Sequence, residues 1–166
     1  DEQLLQAVAA SNPSGGQLII ADCRSRVATL GNAAMGKGTE SEAHYSAQVV
    51  HLGIANIHAV RDSFHKLHEL AAKGASRDSV YLRTLDESGW LHHIASLLRG
   101  AIGCAHALHV QRRSVLVHCS DGWDRTAQIC VLTQLLLDPY YRTIDGFITL
   151  LDKDVIAYGH KCADRL

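Results

Sequence analysis

The stretch VLVHCSDGWDRTAQ, Val115 to Gln128, sets a short β-branched apolar run against a helical one, with a polar loop between them. Cys119 and Arg125 stand six positions apart at that junction. Strand, loop, helix is the order that places a loop at a helix N-terminus, where unpaired amides and the macrodipole both favour an anion. A loop of this length curling around one centre turns several N–H groups inward and makes a nest of phosphate size. Cys119 at its mouth would feel that field, which lowers a thiol pKa and supplies thiolate near neutral pH. Arg125, at the far end, can return to the same centre and grip two oxygens bidentately. Thr126 adds a hydroxyl for the thiolate or a phosphate oxygen. The spacing therefore expects a nucleophile beneath, and a clamp beside, one phosphoryl group. A leaving alkoxide would also need a proton; Asp124 is the nearest candidate acid and Asp121 the second. Taken alone, a cysteine and arginine at this spacing arise by chance, and a buried cysteine is commonly just small apolar packing. The flanking strand and helix are what tip the reading toward chemistry.

Composition sets the surroundings. The 166 residues are nearly half apolar, with a net charge of -1, so they suit one globular domain with a proper core. Near-neutral charge gives no bulk attraction to nucleic acid or a membrane, so a charged ligand must be caught locally. No apolar run reaches the roughly 20 residues that span a bilayer, and no signal-peptide pattern opens the chain. The five cysteines, Cys23, Cys104, Cys119, Cys130 and Cys162, are odd in number and lack metal-site spacing. They read as free thiols in a reducing compartment. The histidines of LHHIA and CAHALH sit in helical apolar patterns and read as surface or core-edge residues. No metal and no cofactor are expected, because Arg125 and the loop amides would do a metal's work.

The remaining pattern is α/β. DEQLLQAVAA reads as an amphipathic helix stopped at Ser11-Asn12-Pro13. QLIIADC reads as a buried strand, GNAAMGKGTE as a loop and QVVHL, residues 48–52, as a second strand. Val60, Phe64, Leu67 and Ala71 recur at helical intervals between His58 and Lys73, and Trp90 to Val110 repeats that signature. SVLVH is a third strand. Thr126–Leu137, almost wholly apolar, reads as a buried helix. Asp138-Pro139 breaks the chain before a last helix from Thr143 to Ile156.

HCSDGWDRT, His118 to Thr126, is more specific than its cysteine and arginine alone. It resembles the active-site signature of the myotubularin family, phosphoinositide 3-phosphatases on the cysteine-dependent, protein-tyrosine-phosphatase-like fold. ADCRSRVATLGNAAMGKGTESE, NIHAVRDS, ESGWLHHI, LDPYYRTIDGF and YGHK resemble further family segments in the same order along nearly the whole chain. The resemblance implies a central sheet flanked by helices, with the signature loop between a buried strand and a helix. It also implies one catalytic core over residues 1–166, without the N-terminal GRAM/PH-like domain usual in the family. The abrupt ends leave a compact divergent member and an excised core both open.

Carried over residue by residue, the resemblance implies Cys119 as nucleophile, Arg125 as clamp and Asp124 as general acid. Ser120, Asp121, Gly122 and Trp123 would line the 3-phosphate site through the loop. Asn32, Asn56 and Ile57 match headgroup-contacting positions, and Lys161 and Arg165 match basic positions facing a second phosphate or the phosphodiester. Other readings stand beside these. Asn32 and Asn56 are also ordinary turn formers. Lys161 and Arg165, at i and i+4, also suit a solvated helix face. Trp123 suits either packing or lipid contact. The family lysine after the first asparagine is Ala33 here, its triple glycine is Gly36-Lys37-Gly38, and an arginine-like position is Lys161. Lysine binds phosphate as a point charge, which bears on selectivity for a second phosphate. Asp121 and Asp124 offset the loop's positive field, which favours phosphatidylinositol 3-phosphate and its 3,5-bisphosphate over the trisphosphate. The implied setting is a cytoplasmic enzyme, peripheral on endosomal-type membranes, acting on lipid without nucleic acid. The resemblance also allows a homo- or heterodimer with another myotubularin-like chain. A phosphoprotein phosphatase, and a non-catalytic phosphoinositide-binding adaptor, are the alternatives.

Overall fold

Three short runs, Ile19–Asp22 (β1), Gln48–His51 (β2) and Val115–His118 (β3), pair into one parallel sheet in the order β2-β1-β3. The structure is a computed structural model that describes residues 2–27, 29, 31, 38, 40–72 and 78–165. Every residue of β1 is buried, as expected of a central parallel strand whose apolar run is continuous and not alternating. Asp22 pairs with His51 on one side and His118 on the other, so all three strands end at one level.

Parallel neighbours need long crossovers, and helices supply them. Glu2–Ala10 (α1) precedes β1, and Glu42–Tyr45 (α2) leads into β2. Ile57–Ala72 (α3), Asp78–Ser88 (α4) and Trp90–His109 (α5) join β2 to β3. Arg125–Leu137 (α6) follows the signature loop. A 3-10 turn at Pro139–Arg142 leads to Ile144–Leu151 (α7), a π-helical turn at Asp152–Ile156 and the short Cys162–Arg165 (α8).

Alternation along the strands divides the core between two faces. Ala21, Cys23 and Cys119 pack with Ala101 and Cys104 of α5 and Ile129 of α6; Val115 and Val117 join them. Leu18 and Ile20 face the other way, against Leu5 and Ala9 of α1. Gly100 lets α5 meet α6 closely: a Cβ there would stand 3.0 Å from Ile129 Cδ1 and 3.3 Å from Leu52 Cδ1.

One helical reading is corrected. The helix after the signature loop is mostly apolar but only half covered: Ala127, Ile129 and Thr133 are buried, while Leu136 and Leu137 are exposed. One side meets the sheet and α5, and the turns at Pro139–Arg142 and Asp152–Ile156 reach its C-terminal half, Arg142 Nη1 donating to the Leu135 carbonyl at 2.6 Å, without covering Leu136 and Leu137. On α3 the buried residues are Ser63 and Leu70, whereas Phe64 and Ala71 are exposed. Val60 and Leu67 are half-buried on the same side, and Phe64 lies against Trp90 with ring centroids 5.6 Å apart. The helix α4 was not anticipated. The GNAAMGKGTE loop falls largely outside the described residues. Among those described, no helix is long and apolar enough to cross a membrane.

Candidate active site

β3 delivers Cys119 to the floor of the loop, 9% exposed, where its Sγ accepts the Gly122 amide at 3.3 Å. Gly122 has φ +87°, a conformation that side-chain-bearing residues rarely adopt, and this turns its N–H toward the sulfur. Burial opposes ionisation of Cys119. The Thr126 hydroxyl and the amides of Gly122, Thr126 and Asp121 outweigh it, so the thiol pKa is lowered. The Thr126 oxygen is buried and has no other partner, which leaves it free to donate to the thiolate.

Arg125 opens α6 and folds back across the loop. Its Nη2 donates to Ser120 Oγ at 3.1 Å and its Nη1 to the Ile54 carbonyl at 3.4 Å. The Gly122 amide thus faces the sulfur, and the guanidinium lies across the loop on Ser120. The same guanidinium borders a groove of about 320 Å³ that Asn56, His92, His93 and Ser96 also line. Asn56 caps α3, its Oδ1 accepting the Ala59 amide at 3.1 Å, so the turn-forming and groove-lining roles coexist. Ile57 is half-buried in the first turn of that helix. Ser120, Asp121 and Gly122 are exposed at the rim, and Trp123 is half-buried.

Asp124 occupies the N-cap position of α6 without capping it. Its carboxylate instead accepts two hydrogen bonds from Arg165, each 2.8 Å, and His160 Nδ1 lies 3.8 Å away. The Arg165 guanidinium holds this carboxyl below its ordinary pKa against the opposing effect of burial. Lys161 Nζ sits 4.9 Å from the centre of the Trp123 ring, and His160 contacts the Trp123 carbonyl. The C-terminal segment therefore lies over the outer wall of the loop, and neither basic residue merely decorates a solvated face. Trp123 packs against this segment. Asn32 lies outside the described residues.

A second cluster, not anticipated, sits at the strand ends. Asp22 is wholly buried and accepts from Arg24 Nε at 2.9 and 3.0 Å and from Nη2 at 2.8 Å. Burial would raise the Asp22 pKa, but the Arg24 side chain and amide reverse this and hold it low. Glu40 Oε2 lies 3.6 Å from Arg24 Nη2 and 3.4 Å from His118 Nε2, and His51 Nδ1 is 3.6 Å from Asp22. His118 Nδ1 also approaches the Cys119 carbonyl at 3.2 Å. Charged residues at the C-terminal ends of parallel strands were the signal in the sequence, since that edge of an open sheet is where sites form. Asp22, Glu40 and His118 are close enough together to hold a metal ion. Both Asp22 oxygens, however, already face the Arg24 cation, so the donor set suits a fixed ion-pair network better than a divalent cation.

With this geometry in place, comparison with known proteins is informative. The family described as the myotubularin-like phosphatase domain matches residues 1–166. The mouse phosphatidylinositol-3,5-bisphosphate 3-phosphatase MTMR6 is 48% identical, over 99% of this chain and 27% of its own length. The human phosphatidylinositol-3-phosphate phosphatase MTMR7 is 45% identical, over 99% of this chain and 25% of its own. The human phosphatidylinositol-3,5-bisphosphate 3-phosphatase MTMR8 is 42% identical, over 99% and 24%. The chain thus spans about a quarter of the length of these relatives. A match along every described residue, signature loop included, identifies the chain as a member of the myotubularin-like phosphatase domain family.

Proposed function

We propose that residues 1–166 form a single protein-tyrosine-phosphatase-like catalytic core that removes the 3-phosphate from phosphatidylinositol 3-phosphate and 3,5-bisphosphate. The supporting observation is the loop itself: a low-pKa Cys119 under the Gly122 amide, with Arg125 folded across to Ser120. The names of the relatives, phosphatases of these same two lipids, support the substrate. In this reading the loop amides and Arg125 hold three phosphoryl oxygens while the Cys119 thiolate attacks phosphorus. The S–P bond forms, the P–O bond to the inositol ring breaks, and the alkoxide takes a proton. Water then displaces the sulfur. Asn56 and Ile57 border the headgroup, and Trp123 shapes the outer wall.

Asp124 supplies the proton only after it leaves its pairing with Arg165, which keeps it ionised in the free chain. A second anionic group on the lipid, at the 5-position or in the phosphodiester, would draw Arg165 and Lys161 to itself. That exchange frees the carboxyl where the leaving group departs, and the same group later activates water. The enzyme acts on lipid at a membrane surface facing the cytoplasm.

The test is phosphate release from short-chain 3-phosphate, 3,5-bisphosphate and 3,4,5-trisphosphate inositol lipids and from a phosphotyrosine peptide. The first two lipids are expected to be the best substrates. Cys119→Ser is expected to lower turnover by about 10³-fold or more while keeping lipid binding. Faster turnover of the peptide would favour a phosphoprotein phosphatase, and wild-type protein that binds lipid without turnover would make it an adaptor.

A further inference from the structure

Resting on Cys119 as an ionised loop nucleophile, we propose that Cys23 is its resolving thiol, and that peroxide drives the pair into a reversible disulfide. Cys23 follows the last residue of β1 and Cys119 follows the last of β3, strands that pair with Asp22 opposite His118. The ladder continues past them, the Cys23 amide donating to the His118 carbonyl at 2.8 Å. Adjacent strands run about 4.8 Å apart, inside the roughly 4.4–6.8 Å Cα separation that a disulfide spans. The two side chains also share a face. Ala21 and Val117, two residues earlier in each strand, pack in the same core as both cysteines, whereas Ile20 faces the opposite one.

Access and charge assign different tasks to the two sulfurs. Cys23 is fully buried whereas Cys119 on the loop floor keeps 9% exposure, so a small oxidant meets Cys119 first. Burial raises the Cys23 pKa, the Cys119 thiolate raises it further, and Arg125 opposes both. Oxidation turns the Cys119 sulfur from a nucleophile into an electrophile, the one change Cys23 needs in order to attack it.

The steps balance. The Cys119 thiolate attacks one peroxide oxygen, the O–O bond breaks, and hydroxide leaves; sulfur is oxidised by two electrons to the sulfenic acid and peroxide is reduced. Cys23 sulfur then attacks the Cys119 sulfur, the S–S bond forms, the S–O bond breaks, and the Cys23 proton leaves with hydroxide as water. A dithiol reductant returns two electrons and restores both thiols. The buried disulfide blocks the nucleophile and stops its further oxidation to the irreversible sulfinic acid.

Full-length chain would be treated with a small excess of hydrogen peroxide, alkylated and digested for mass spectrometry, with phosphatase activity followed before and after dithiothreitol. The expected result is a Cys23–Cys119 linked peptide and recovery of most of the lost activity. Cys23→Ala is expected to recover about fivefold less, its Cys119 having passed to sulfinic acid; Cys104→Ala is expected to behave like the wild type. Linkage of Cys119 to Cys104, or irreversible oxidation in the wild type without any link, would overturn the proposal and leave the phosphatase reading intact. A Cys119 that neither iodoacetamide at neutral pH nor peroxide modifies would overturn both.

Discussion

Asp124 carries the central tension of the site: a carboxyl proposed to give up a proton is held ionised by two hydrogen bonds from Arg165. Because its folded pKa lies below the unfolded value of about 3.9, the pairing stabilises the fold above that pH. The contribution is lost as pH falls through the lowered value. Arg165→Ala is therefore expected to reduce stability at pH 7 and to flatten its decline between about pH 5 and the acid limit. Urea unfolding midpoints across that window check this, and parallel profiles for variant and wild type would count against it. Asp22 poses a harsher case, since its removal leaves the Arg24 guanidinium buried and half-paired. Asp22→Asn is expected to cost about 3–5 kcal/mol, measurable by the same unfolding. Legibility at this scale followed sequence distance. Cys119 and Arg125 belong to one loop, so their spacing between a strand and a helix was enough to point to a cradle. Arg165 reaches Asp124 across 41 residues, and Cys23 lies beside Cys119 only through strand register; no local pattern could show either.

The helices show what periodicity can and cannot carry. β1 was legible as a continuous apolar run, and α5 as an apolar set at a clean helical period, as in Ala101, Cys104 and Ala105. α4 escaped because its inward positions, Tyr81, Thr84, Leu85 and Ser88, are half polar, so the helical repeat was masked. α3 was legible from Val60 and Leu67, which are half-buried, while the most buried positions beside them are Ser63 and Leu70 and Phe64 stays exposed. The α5–α6 crossing supplies a sharp test. Gly100→Val places methyl groups where even a Cβ meets Ile129 at 3.0 Å, and is expected to destabilise by about 1–3 kcal/mol in thermal or urea unfolding. Gly122→Ala has open space around it but a forbidding φ of +87°. Its expected cost is about 1 kcal/mol or more, together with a loss of phosphate release as the amide turns away from Cys119.

Across the whole molecule, a small sheet with helices on both faces brings the loop, the groove beside Arg125 and the C-terminal segment to one edge. The family resemblance was legible from ordered segments along nearly all of the chain, and the full-length family match agrees with it. The distribution of exposed apolar surface was not legible. Ile144, Phe147 and Ile148 lie on one side of α7 and are 81%, 41% and 59% exposed. Such a patch promotes association. Ile148→Lys is expected to change stability by less than about 0.5 kcal/mol while reducing self-association in sedimentation.

The poised thiolate is tested most directly by the rate of Cys119 alkylation against pH, read by mass spectrometry with and without inorganic phosphate. The expected profile has its midpoint below the ordinary thiol value of about 8.5 and slows when phosphate fills the cradle. A midpoint at or above that value, with phosphate giving no protection, would contradict the account.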